Sequence, residues 1–507
     1  MISAYTGTQI REAEKPFLDD GMGAVLMQRA SYGLANAVIR ELRSRGRRIY
    51  GSKVTVLAGK GNNGGDGLFA AALLAGRGVR TTAVLTAGDA HAAGLEAFRR
   101  AGGRTHALTE ENTPELSADA ARADVVIDAV LGTGARGGLR GAAGSLVEQL
   151  QSERGAGIVV ACDIPSGVDA DTGALYGPVL QAHVTVTFGG VKAGLLADPG
   201  AGYAGRIEQI PIGIEPSLPL PVVRRLERHD LFALLPHPER RSHKYSRGVL
   251  GIVAGSERYP GAAVLACRGA LAAGVGMVRY IGPREVAEAV RQACPEVVCG
   301  QGRVKDTHVQ AWLVGSGLDD SAGEQLGRVR EALESGLPVI ADAGALRVLP
   351  GTLGAHVVLT PHAGELATLF TELGTATHRS EIEAAPLVAA RRAATLTGAT
   401  VLLKGPTTII APASGAAYSQ DEGTPWMATA GSGDVLSGIL GALLAQVGSD
   451  GARFAAVGIN SGERWAAIAA MAASVHGMAG TAASAGGPLT AGRLGDAVAG
   501  VWPAHAG

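Results

Sequence analysis

The residues best suited to chemistry lie in short polar, glycine-rich stretches that interrupt apolar runs. In the first half these are GKGNNGGDG (Gly59 to Gly67), DAVLGTGARGG (Asp128 to Gly138) and CDIPSGVDADTG (Cys162 to Gly173). Glycine-rich turns expose backbone N–H groups to an anion. Gly64, Gly65, Gly132, Gly134, Gly137 and Gly138 are therefore candidates to cradle phosphate. GKGNNG meets G-x-G-x-x-G but no Walker pattern, and it carries two asparagines and an aspartate where bare backbone would serve. Asn63, Asp128 and Ser166 offer hard oxygen donors, which suit an s-block cation rather than zinc. Asp163 stands at a strand end beside them, in place for general acid or base work. The competing reading is that these Asn and Asp residues cap helices and close turns. It serves for any one of them and poorly for three loops together.

In the second half the strongest signal is MATAGSGDVLSGIL (Met427 to Leu440), a Gly-Ser-Gly-Asp turn opening onto an apolar helix. N–H groups at a helix start favour phosphate oxygens. Asp434 in that turn can take the proton of a hydroxyl attacking a phosphoryl group, or it can simply cap the helix. Lys404 ends the run TVLLK and is one of seven lysines among 45 basic residues; its point charge suits phosphate. His362, in TPHAGE, either bonds a substrate or is a structural histidine. VGSGL (Val314 to Leu318) and HKYSRG (His243 to Gly248) complete the set.

These loops need strands to hold them. KVTVLA, ADVVIDAVLG, GIVVACDIP and VTVTFG in the first half, and GVLGIVAGS, WLVGSG, PVIADAG, HVVLTP and TVLLKGPTTII in the second, are continuous apolar runs. Such runs fit strands buried on both faces of a parallel sheet, and the Ala/Leu-rich segments between them fit βαβ crossovers. Ligands of open α/β sheets sit beyond the carboxyl ends of the strands, which is where the polar loops fall. IEPSLPLPVVRRLERHD (Ile214 to Asp230), proline-rich and then charged, reads as a linker. The expected domains are 1–215 and 228–507, joined by 216–227.

Composition excludes other classes. A formal charge of −1 gives no case for nucleic acid, and Arg40 to Arg48 reads as the solvated end of a helix. Four cysteines without C-x-x-C spacing are neither a disulfide framework nor a zinc site. With no signal-like N-terminus and no unbroken apolar span, a cytoplasmic protein away from membranes is expected.

GKGNNGGDG, DAVLGTG and DIPSGVDADTG together resemble the epimerase domain of the NAD(P)H-hydrate repair enzymes. The resemblance implies that Asn62, Asn63, Gly64, Gly65 and Asp66, with Gly132, Thr133, Gly134, Ala135, Arg136, Gly137 and Gly138, touch a hydrated dinucleotide. It also implies that Asn63, Asp128 and Ser166 hold potassium and that Asp163 contacts the substrate catalytically. HKYSRG, GS-x-x-YPGAA, TPHAGE, LKG-x-T-x-I and MAT-x-GSGDVLSG resemble the ADP-dependent NAD(P)H-hydrate dehydratase branch of the ribokinase-like superfamily. That resemblance implies that Ala263, Gly317, His362 and Asp434 contact the hydrate, with Asp434 the catalytic base. It also implies that Lys404, Gly405, Pro406, Thr407, Thr408 and Gly433 hold the nucleotide. Ala363 stands where that family often has Pro, and Ala430 where it often has Gly.

The fold implied is α/β in two domains: an N-terminal Rossmann-like three-layer sandwich and a C-terminal ribokinase-like α/β/α domain. The function implied is repair of NADHX and NADPHX by epimerisation, then ADP- and magnesium-dependent dehydration, in a homo-oligomer. The alternative is a vitamin-precursor kinase carrying a noncatalytic N-terminal binding module.

Overall fold

The computed structural model describes residues 1–135, 137–153, 157–319 and 322–502. The chain divides into two compact units, Ser3–Val223 and Arg224–Gly507, the second also holding Met1–Ile2. The division falls within the expected linker, which itself contains the short strand Val223–Arg225.

The first unit is built on a seven-stranded parallel sheet. Its spatial order is Arg104–Ala107, Arg80–Leu85, Lys53–Ala58, Val125–Ala129, Ile158–Cys162, Val184–Phe188, Arg206–Ile210. The central strands are buried almost throughout, because alternate residues feed two different cores. Val54, Val56, Val125, Ile127, Ile158 and Val160 enter one core with Leu34 and Val38 of helix Gly23–Ser44 and Leu68 of helix Asn62–Ala75. Leu57, Val126, Val159 and Ala161 enter the other with Leu116, Leu146 and Leu150. This two-sided burial is why the runs are continuous rather than alternating. Strand order reverses between Lys53–Ala58 and Val125–Ala129, and the GNNGGDG and GTG loops leave from that switch point. The stretch Ala24 to Ile39 turns its apolar face into this core.

The second unit carries a nine-stranded run. Its order is Val298–Gly300, Met277–Ile281, Val249–Val253, Ala311–Val314, Val339–Ala341, Val357–Leu359, Thr400–Leu403, Thr408–Ala411, Ala417–Gln420. Its first seven strands are parallel and the last two antiparallel. TVLLKGPTTII is therefore not one strand. It breaks at Lys404, and the short turn folds Thr408–Ala411 back beside Thr400–Leu403, which only an antiparallel partner permits. The switch point lies between Val249–Val253 and Ala311–Val314. Helices Pro260–Ala272 and Ser432–Val447 pack backbone to backbone: a Cβ at Gly269 would lie 2.5 Å from the Val435 carbonyl oxygen, and one at Gly438 would collide with that of Ala266.

Among the described residues, Ser461–Ser484 is the one helix long and apolar enough to cross a membrane, and 78% of its apolar window is buried in this unit's core. All four cysteines are free.

Candidate active sites

In the first unit the three loops converge at the carboxyl edge of the sheet. Asp128, the fourth residue of its strand, is buried. Its carboxylate accepts from Ser166 Oγ at 2.5 Å and Ser166 N at 2.8 Å. The Leu131 N–H donates to Ser166 Oγ at 2.8 Å, and Asn63 Nδ2 donates to the Leu131 carbonyl at 3.0 Å. A Cβ at Gly132 would lie 2.9 Å from that of Asn63, so only glycine lets the two loops touch. Burial pushes the Asp128 carboxyl up, and the Ser166 and Val130 hydrogen bonds offset this only in part. No cationic side chain is among its partners in the described residues. A buried carboxylate with neutral partners, ringed by Asn, Ser and carbonyl oxygens, is a donor set that fits a monovalent hard cation.

Asp163 follows the next strand with φ of 69°, a left-handed backbone unusual for a non-glycine residue. Lys192, fully buried, forms an ion pair with its Oδ1. Thr187 Oγ1 and Phe188 N donate to the same oxygen at 3.3 Å, and Thr133 Oγ1 donates to Oδ2. Lys192 also donates to Thr187 Oγ1 and the Phe188 carbonyl, each at 3.0 Å. Burial raises the Asp163 carboxyl, but the Lys192 charge and these hydrogen bonds more than offset it and hold it below the ordinary carboxylate value. Asp66 is held well above its ordinary value, first by burial and then by the charges of Asp163 and Glu14. Two neighbouring carboxyls are thus driven apart, the pattern that separates an acid from a base. Asn62, Gly134 and Ala135 are exposed at the mouth, Gly64 and Gly65 are buried, and Gly137 and Gly138 are partly buried. Gly138 approaches the Tyr176 carbonyl too closely for any side chain. Arg136 lies outside the described residues.

In the second unit the centre is Asp342, at the end of strand Val339–Ala341. Its Oδ1 accepts from Lys404 Nζ at 3.0 Å and Thr360 Oγ1 at 2.9 Å; its Oδ2 accepts from Ser316 Oγ at 2.9 Å and Ser437 Oγ at 3.1 Å. Burial raises this carboxyl, yet Lys404 and the hydroxyls hold it below the ordinary value. Asp434, in the first turn of helix Ser432–Val447, is pushed up to about 7 by burial and then by the Asp342 charge, against the pull of Lys404 and a Ser316 hydrogen bond. A Cβ at Gly433 would lie 3.5 Å from Lys404 Nζ, so the helix start and the ammonium face one another.

His362 is the N-cap of helix Ala363–Glu372. Its Nδ1 accepts from Gly364 N at 3.0 Å and Glu365 N at 3.2 Å, while Glu365 accepts from the His362 N–H at 2.8 Å. A capping Nδ1 leaves the neutral ring's proton on exposed Nε2, so the structural and the ligand-facing readings hold together. Gly317 has φ of 68° beside Ala262, and Ala263 is buried against Gly255. Gly405 and Pro406 are exposed at the turn, Thr407 is buried, and Thr408 opens the returning strand. His476 anchors the GSGD turn, with Nε2 3.0 Å from the Ser432 carbonyl, and burial pushes it down to about 4.

The family described as YjeF-related protein N-terminus matches residues 23–194, and the family described as NAD(P)H-hydrate dehydratase matches residues 250–490. The chain is 42% identical over 450 residues to the bifunctional NAD(P)H-hydrate repair enzyme Nnr of Mycobacterium tuberculosis (strain CDC 1551 / Oshkosh), covering 87% of this chain and 89% of the relative. The chain belongs to the bifunctional NAD(P)H-hydrate repair enzyme family. A relative of the same name from Moorella thermoacetica is 35% identical over 504 residues, covering 91% and 88%. A crystal structure of ADP/ATP-dependent NAD(P)H-hydrate dehydratase from Bacillus subtilis, co-crystallized with ATP/Mg2+, aligns with TM-score 0.46 and 26% identity over 54% of this chain and 96% of that one.

Both halves of this repair-enzyme family member bring further residues to their sites, of which Ser316 lies inside VGSGL and Thr360 and Glu365 inside TPHAGE without having been singled out there. Lys192, Thr187, Glu14 and Ser31 surround the first site, and Asp342, Thr360, Ser316, Glu365 and His476 the second. Lys192 carried a usable signal. It follows VTVTFG at a strand end and is another of the seven lysines, the same argument that singled out Lys404.

Proposed function

We propose that this chain repairs hydrated NADH and NADPH. The first unit interconverts the R and S hydrates, and the second dehydrates the S form with ADP, releasing AMP and phosphate. The observation that carries the reading is the second site's pair of carboxylates, in which Asp434 is poised near neutrality beside the Lys404 ammonium. A base of that strength can take the proton of a ring hydroxyl at neutral pH as the hydroxyl oxygen bonds the terminal phosphoryl group of the nucleotide and AMP leaves with the electrons of the broken P–O bond. Phosphate then departs with the C–O electrons, the adjacent ring proton is lost and the double bond returns. Phosphate leaves far more readily than hydroxide, which is the purpose of the nucleotide. Lys404, Gly433 and the Gly405–Thr408 turn bind phosphates, and magnesium enters with the nucleotide.

In the first unit, Asp163 is the acid/base group that exchanges a proton with the ring hydroxyl as the configuration inverts, held in place by Lys192 and Thr133. Asn63, Asp128 and Ser166 would hold potassium, which when bound supplies the positive charge that Asp128 lacks. The reading places the chain in the cytoplasm as a homo-oligomer acting on small molecules alone, and its four free thiols fit that compartment.

The test uses the full chain with mixed R and S NADH hydrate, ADP, magnesium and potassium, followed at the reduced-nicotinamide absorbance. Full recovery faster than spontaneous epimerisation is expected, slowing to the S fraction alone when sodium replaces potassium. Recovery of only the S fraction in potassium would make the first unit a binding module. No recovery with ADP or ATP would favour a hydroxyl kinase.

A further inference from the structure

Asp342 accepts four hydrogen bonds, two on each carboxylate oxygen. A carboxylate has about four acceptor positions, so Asp342 has none left for a substrate or a nucleotide. Whatever it does, it does through its donors. Those donors are informative: Lys404 Nζ faces the Gly433 turn at the start of the helix bearing Asp434, Ser316 also bonds Asp434, and Ser437 lies three residues after Asp434 on the same helix. The residue after Asp342, Ala343, is held at φ of 43°, a strained backbone that persists only where its surroundings enforce it.

We propose that Asp342 is a positioning residue of the dehydratase half: its charge strengthens Asp434 as a base, while its four hydrogen bonds lock Lys404 and the helix bearing Asp434. This rests on the ADP-dependent reading above. The groups facing Asp434 from the surrounding elements are Asp342 and Lys404 at two strand ends and Glu365 on helix Ala363–Glu372. His476, on helix Arg464–Ser484, bonds the turn that carries Asp434. Asp342 is the strongest charged influence among them; Glu365 also raises Asp434 and lies 3.7 Å from Lys404 Nζ, but Asp342 holds Lys404 by the shorter 3.0 Å hydrogen bond.

The experiment compares the pH profile of kcat/KM for ADP-dependent dehydration of S hydrate in wild type, Asp342→Asn and Asp342→Glu. Wild type should show an acid limb near 7. Asp342→Asn removes a like charge and frees Lys404 toward Asp434, so both changes lower the limb, by about one unit or more. KM for ADP should rise as well. Asp342→Glu keeps the charge, so its limb should stay at the wild-type position even where the rate falls. A folded Asp342→Asn protein with an unmoved limb and an unchanged KM for ADP overturns the proposal.

Should that variant not fold, Asp342→Asn with Lys404→Met removes both members of the pair. Infrared titration of the Asp434 carboxyl, read as the difference from the same protein carrying Asp434→Asn, needs no activity. Because Asp342 outweighs Lys404 at Asp434, the titration should still move to lower pH, and an unmoved or raised midpoint refutes the idea. Absence of any wild-type dehydration would instead sink the functional reading.

Discussion

Replacing Lys192 with methionine isolates the first unit's buried ion pair. The Lys192 and Asp163 side chains are 1% and 12% exposed, so solvent screening does little to weaken the pair. Removing one partner leaves a buried carboxylate without its cation, a change that costs about 3–5 kcal/mol. With a urea m-value of about 2–3 kcal/mol/M, the unfolding midpoint of this unit should fall by about 1–2.5 M. The molecule supplies its own control. Its four tryptophans are Trp312, Trp426, Trp465 and Trp502, all within the second unit, so fluorescence follows that unit while far-UV circular dichroism follows both. The Lys192→Met full chain should show an early dichroism phase and an unmoved fluorescence transition. The pH dependence fixes the sign. In wild type the Asp163 value lies below its unfolded value of about 3.9, so its contribution is complete above that pH and is lost as pH falls through the depressed value. Without Lys192, burial dominates and the folded value rises above the unfolded one. The folded variant then binds a proton that the unfolded chain does not, and gains stability as pH falls toward about 4. The gap between wild type and variant should therefore be widest at about pH 8 and narrow by pH 5. A fluorescence transition that moves with the dichroism, or a gap independent of pH, would refute the account of Asp163 as a Lys192-stabilised anion.

Asp434→Asn removes the proposed base of the second site with little change of shape. Dehydration should fall by about 10²–10⁴-fold while epimerisation, followed by chromatographic separation of the R and S hydrates, is unchanged. Gly438→Ala places a methyl group against the Ala266 carbonyl. Overpacking of this kind costs about 1–3 kcal/mol, and here the fluorescence transition should move while the first unit's does not.

The strands and the loops that end them were legible because burial on both faces writes itself as an unbroken apolar run. Lys53–Ala58 coincides with KVTVLA, and the central strands of both sheets fall within the runs read as strands, except that Ala311–Val314 begins one residue before WLVGSG. The flanking strands Arg80–Leu85, Arg104–Ala107 and Arg206–Ile210 went unread, since RTTAVL, RTHA and RIEQI mix polar residues into the pattern. TVLLKGPTTII reads as a single strand run because it keeps its apolar character through the turn. At the sites, residues inside recognisable motifs could be named, whereas Asp342 could not. Its neighbours Ser316, Thr360, Lys404 and Ser437 come from four separate stretches of chain, and only sheet order brings them to one carboxylate.

The two halves bury the same pair, a lysine on an aspartate at a strand end, and use it in opposite ways. At Asp342 all four acceptor positions are filled, so the paired carboxylate supports its neighbours and the chemistry passes to Asp434, which lacks a lysine of its own. At Asp163 the donors are unevenly shared. Oδ1 takes Lys192, Thr187 and Phe188, while Oδ2 takes Thr133. Oδ2 thus keeps an acceptor position on the side of the Gly132–Ala135 loop, and Asp163 remains ionised and open toward the mouth of its site. On the proposed reading, counting filled acceptor positions separates a carboxylate open to a substrate from one that only holds its neighbours, where a motif shows only that an aspartate is present. The same count bears on Thr133. Thr133→Val would free a second position on Oδ2 and loosen the carboxylate, while Lys192 would keep it charged. Epimerisation should then weaken through misplacement of Asp163, with its pH profile little changed, whereas Lys192→Met should shift that profile upward.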